Sequence, residues 1–189
     1  MLLGPARSLA AGAGRELSFE IDGDFGGASV ENIRAVLVSA ASTLWENCPN
    51  TRWEQPGFII HRSMGNPITA YEHDKNGRID IGLNVAGSFW AQFAFQFAHE
   101  FCHALAGHSN DWKKTWIKGP KSNQWFEESL CETASLFALK AMSKRWRTAP
   151  PYPNWRSFAP HLEEYAESRI TGARKAFAEP FLTWFGKEQ

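Results

Sequence analysis

The sequence predicts an α+β domain in which the helices are segregated from a small sheet. Three observations carry that reading. Short segments that alternate apolar and polar residues crowd the chain before residue 86, as half-buried strands do. Two long helical patterns follow, at about 88–106 and 123–146, with no strand between them. The order strand, helix, strands, helix, helix lacks the steady alternation that builds a parallel α/β sheet.

Taken in order, residues 1–15 read as a flexible leader. They resemble an export signal weakly, because the start is not basic and Pro5 and Arg7 break the apolar run; a removed or truncated export signal is the alternative. Residues 16–189 read as one domain, with the sheet and the site helix in 16–106 and a helical part in 107–189. Glu16 to Asp22 (ELSFEID) alternates as a strand, and Gly23 to Gly27 makes a loop. From Ser29 to about Glu46, Ile33, Val36, Leu37, Ala40 and Leu44 recur at helical spacing. Pro49 and Pro56 mark a connection. Gly57–His61 and Pro67–Glu72 are short strands, Asn76-Gly77 is the strongest hairpin signal, and Arg78–Val85 (RIDIGLNV) is the next strand. The first long helix should stop at Gly107, and a polar loop with Gly119-Pro120 leads to the second. After the proline-rich stretch Pro150–Pro153, one or two helices are expected between Trp155 and Phe185.

Composition narrows the partners. The chain has 189 residues, 43% of them apolar, which suits a folded core. Twenty basic and twenty acidic residues cancel, so no basic excess points to nucleic acid or to an anionic membrane. No stretch is long and apolar enough to span a bilayer. Three cysteines, Cys48, Cys102 and Cys131, are too few for a disulfide framework. They lean towards a reducing compartment such as the cytoplasm, with one bridge and one free thiol as the other arrangement. Oligomeric state leaves no signal.

The chemistry is concentrated at residues 99–103, His-Glu-Phe-Cys-His. Positions four apart share a helix face, so His99 and His103 can hold one metal ion. Glu100 is offset to the flank, where it can take a proton from an attacking water. The surrounding residues, Phe93 to Ala98, Phe101, Cys102, Ala104 and Leu105, are mostly apolar and predict burial on nearly all sides. Unpaired buried charge costs several kcal/mol, and a divalent cation would satisfy all three residues. A catalytic zinc usually takes three protein ligands. The second long helix offers one in Trp125-Phe126-Glu127-Glu128. Glu132 shares a face with Glu128 and can accept the outer N–H of a ligand histidine. Glu127 is explained by the preference of acidic residues for the first turn of a helix. His108 is the rival third ligand, placed just beyond the expected helix end. Cys102 and Cys131 read as small packing residues, and most of the tryptophans as core or partly buried.

Together these two motifs, across residues 78–140, resemble the gluzincins, the thermolysin-like branch of zinc metallopeptidases. That resemblance implies a zincin-like fold, in which a small mixed sheet packs on the active-site helix before a mainly helical C-terminal part. It also implies zinc held by His99, His103 and Glu128, Glu100 as general base, and Glu132 behind a ligand histidine. By the same analogy Arg78–Val85 is the sheet edge along which a peptide or protein substrate lies. The 24 residues between His103 and Glu128 exceed the gap in thermolysin and in the aminopeptidases. No counterpart of the aminopeptidase motif for a free N-terminus is seen, which favours an endopeptidase. His161, Tyr152 and Tyr165 are candidate oxyanion donors. Two other classes compete with a peptidase. One is a metal-binding zincin-fold module that recognises a partner without proteolysis, against which Glu100 speaks. The other is a structural zinc domain, for which the cysteines are too few and badly spaced.

Overall fold

The computed structural model describes residues 17–47, 57–106, 124–176 and 183. These hold a mixed α+β arrangement of one four-stranded sheet and four α-helices. In chain order they are β1 (Phe19–Asp22), α1 (Val30–Glu46), β2 (Phe58–Arg62), β3 (Ile68–His73), β4 (Ile79–Leu83), α2 (Trp90–Ala106), α3 (Gln124–Trp146), a 3-10 turn (Pro153–Phe158) and α4 (Ala159–Ala176). The leader, Gly107, His108 and the Gly119-Pro120 loop lie outside the described residues. No helix among the described residues is long and apolar enough to cross a membrane.

The strands run in the order β1-β2-β4-β3. β1, β2 and β4 are parallel, with α1 as the crossover between the first two, and β3 is antiparallel to β4. This corrects one expectation: the strand at 78–85 is not the edge, because β4 pairs on both sides and β3 takes the outer place. Its composition gives the reason. Ile79, Ile81 and Leu83 are all buried against the helices and Gly82 is buried on the other face, as in a central strand. The reversal at Asn76-Gly77 is a tight turn as expected. Asp74 Oδ1 accepts from the backbone N–H of Asn76 (2.8 Å) and Arg78 (2.9 Å), and Gly77 takes φ +78°. Gly82 has a steric role as well: a Cβ there would meet His61 Nε2 at 3.0 Å, Ser63 Cβ at 3.1 Å and Ile68 Cγ2 at 3.2 Å.

α1 begins where Ser29 caps it, its hydroxyl accepting from the N–H of Asn32 at 3.2 Å. α2 is the central element, touching the sheet, α1, α3 and α4. Its Phe97 stacks on Phe101 at 5.4 Å and meets Phe19 of β1 edge-on at 5.4 Å, while Phe101 meets Phe58 of β2 at 5.4 Å. These fully or nearly fully buried rings pin the helix to the sheet. α3 is fastened at its far end, where Trp146 Nε1 donates to Ser39 Oγ of α1 at 2.7 Å in the core. Trp155 of the 3-10 turn stacks on Trp90 and packs at a tilt against Trp146, each at 5.4 Å.

Candidate metal centre

α2 places His99 and His103 one turn apart, and α3 crosses in front of them with Glu127, Glu128 and Glu132. The two inner nitrogens, His99 Nε2 and His103 Nε2, lie 3.2 Å apart. Glu128 Oε2 is 3.2 Å from the first and 3.5 Å from the second. Donors held about 2.0–2.1 Å from a tetrahedral zinc stand roughly 3.3–3.4 Å from one another. The observed triangle has that size, so the donor set fits zinc in both spacing and chemistry.

The outer nitrogens explain why the triangle invites a cation. His103 Nδ1 lies 2.8 Å from Glu127 Oε1, and His99 Nδ1 lies 3.7 Å from Glu132 Oε2. With each Nδ1–H turned towards its carboxylate, both Nε2 atoms present lone pairs inward. The triangle then contains three acceptors and no hydrogen. In that pair of tautomers, a cation at the centre, a proton or a metal ion, relieves the arrangement. The electrostatics agree: burial lowers the pKa of His99, but Glu132, Glu100 and Glu128 outweigh it and raise the pKa overall. The His99 imidazole facing it holds Glu132 below the usual carboxylate range, with Arg169 adding to the effect.

Glu127 is the residue that sequence reasoning missed. The helix dipole was a sufficient reason for an acid in the first turn, yet its carboxylate lies within hydrogen-bond distance of an outer nitrogen, closer than Glu132 does. The available signal was two adjacent acids at the head of α3. Neighbours about 100° apart on a helix can reach the inner and outer edges of one imidazole.

Glu100 is buried beside the triangle. Thr69 Oγ1 of β3 stands 2.8 Å from both Glu100 Oε2 and the Glu100 backbone carbonyl, so one hydroxyl proton is shared between two acceptors. Burial pushes the Glu100 pKa up, against the Thr69 bond and the two histidines. A cavity of about 440 Å³ opens here, lined by Ile68 and Thr69 of β3, Phe95 and the motif residues of α2, and Glu128.

A second donor set competes. The thiol of Cys131 comes within 4.8 Å of a ligand atom on each histidine. Glu128 Oε2 lies 3.2 and 3.5 Å from the two Nε2 atoms. The neighbouring Cys102 thiol, burial and nearby carboxylates push the Cys131 pKa up. His108 lies outside the described residues. Tyr152 packs on Trp155, His161 pairs with Glu164, and Tyr165 meets Phe95 edge-on; none of the three lines the cavity.

No protein-family model, curated protein or solved structure matches this chain. The resemblance to gluzincins therefore rests on the two motifs and on the arrangement of their side chains.

Proposed function

We propose that the protein is a zinc-dependent peptidase with a zincin-like fold, acting as an endopeptidase, with His99, His103 and Glu128 as the zinc ligands. The observation that carries this reading is the inward-facing triangle of two imidazole nitrogens and one carboxylate oxygen, 3.2–3.5 Å on a side, beside a buried glutamate. When bound, zinc would polarise the scissile carbonyl and make the attacking water more acidic.

The chain's own residues do the rest. Glu100 takes the proton of the attacking water and passes it to the leaving nitrogen. Thr69 fixes the carboxylate from the side of β3. Glu127 holds the His103 imidazole in the tautomer that turns Nε2 inward, and Glu132 faces the outer nitrogen of His99. β3 is an edge strand of the sheet among the described residues, and Ile68 and Thr69 on it line the cavity. An extended peptide added along that edge would lie across the mouth of the site.

The test is hydrolysis of casein and of quenched fluorescent peptides, with and without a chelator, alongside elemental analysis. The expected result is one zinc per chain and cleavage that stops on chelation. Glu100→Gln should lower hydrolysis by at least about 100-fold while keeping the zinc. Protein that binds no stoichiometric metal after zinc loading, or a fully active E100Q variant, would overturn the reading. Zinc without cleavage would mark a metal-binding module.

A further inference from the structure

We propose that Arg169, on the C-terminal helix, is a positioning residue of the metal centre and acts through Glu132. The inference rests on the ligand assignment above and extends the site to a helix that contributes no ligand to it. α4 runs antiparallel to α3: Glu163 pairs with Arg147, Glu167 with Lys140, and Arg169 with Glu132. Tyr165 and Arg169 are four residues apart and share a face. Both meet Phe95 of α2, the tyrosine edge-on at 5.8 Å between ring centres and the guanidinium carbon 4.7 Å over the ring centre. Phe95 in turn lies one helical turn before His99, and both line the cavity.

The two oxygens of Glu132 are divided between two partners. Oε1 accepts from Arg169 Nη2 at 3.1 Å, and Oε2 faces His99 Nδ1 at 3.7 Å. A separation of 3.7 Å is too long for a hydrogen bond. A shift of under about 1 Å in the carboxylate therefore decides whether Glu132 fixes the His99 tautomer. Arg169 is suited to set that position, because its planar guanidinium is laid on Phe95 while one N–H holds Oε1. A lysine would keep the charge but lose the planar stacking. Both side chains of the pair are more than 40% exposed, at 47% for Arg169 and 42% for Glu132, so an effect on fold stability should be small.

The sign of the effect separates positioning from plain electrostatics. Removing a positive charge from beside a cation site strengthens cation binding by Coulomb attraction alone. Positioning requires the opposite. The experiment is zinc affinity by competition with a chromophoric chelator, on the full chain, for wild type, R169A, R169K, E132A and R169A/E132A, with melting of each metal-free protein alongside. R169A should weaken zinc binding about three- to tenfold, less than the roughly 10–100-fold expected when the outer partner itself is removed. R169K should fall between R169A and wild type. R169A should have no further effect in the E132A background, and metal-free melting should be unchanged. Equal or tighter zinc binding by R169A, or the same loss with and without Glu132, overturns the role of Arg169. E132A that binds zinc like wild type overturns Glu132 as intermediary and Arg169 with it. Wild type that fails to bind zinc overturns the metal site itself and is read before any variant.

Discussion

The helices that meet at the site differ in how they are held. α2 is buried along most of its length and clamped by stacked phenylalanines, so His99, Glu100 and His103 stand on a rigid wall. α3 is anchored by Trp146 at its far end, whereas its near end exposes Trp125, Phe126 and Leu130. Its carboxylates therefore approach from a wall with less packing behind it. The nitrogen donors are fixed by the core, and the oxygen donor depends on a contact between helices. A metal ion would be the strongest tie between the two walls.

Substitutions can break or sharpen that contrast. The largest effect should come from Glu128→Ala, which leaves only the two histidines and should lose most zinc affinity. Cys131→Ser and His108→Ala should change zinc affinity little. Zinc titration of the three variants checks this, and retention of zinc by E128A with loss in C131S would make the thiol the third donor. Next in size is a pair on the two helices. Phe97→Ala on α2 should cost about 3–5 kcal/mol, because the ring is fully buried among other rings. Phe126→Ala on α3, where the side chain is 61% exposed, should stay within about 0.5 kcal/mol. Denaturant unfolding of the two variants measures both, and equal losses would refute the contrast. Smaller and finer is the comparison of the outer partners. Glu127→Ala should weaken zinc binding towards the upper end of about 10–100-fold and Glu132→Ala towards the lower end. Glu127 lies closer to its outer nitrogen and is less exposed, at 2.8 against 3.7 Å. Chelator competition ranks the two, and the reverse order would mean that distance to the outer nitrogen does not set the effect.

The same contrast governs what the sequence discloses. α2 announces itself because its apolar residues surround three ionisable ones, and the pairing of His99 with His103 needs nothing beyond helical spacing. The hairpin at Asn76-Gly77 is equally local. Sheet order is not local: the periodicity of Arg78–Val85 marks a strand but does not say whether β3 folds inside or outside it. Glu127 was hidden for a different reason. One local cause, the helix dipole, already accounted for it, and its bond to His103 exists only once α3 has crossed α2. Arg169 carries no motif at all, since its meaning depends on the register between α3 and α4.

Gly82 bears on how far the site extends through the protein. It lies on the face of the sheet turned away from α2, where His61, Ser63 and Ile68 close over its Cα. A side chain there would crowd His61, Ser63 and Ile68, and Ile68 is followed directly by Thr69, whose hydroxyl bonds Glu100. A mutational scan read only by distance from the histidines would rank position 82 as remote. Read by mechanical linkage it belongs with the site, because a methyl group added on the outer face meets the residue next to the one that holds Glu100 on the inner face.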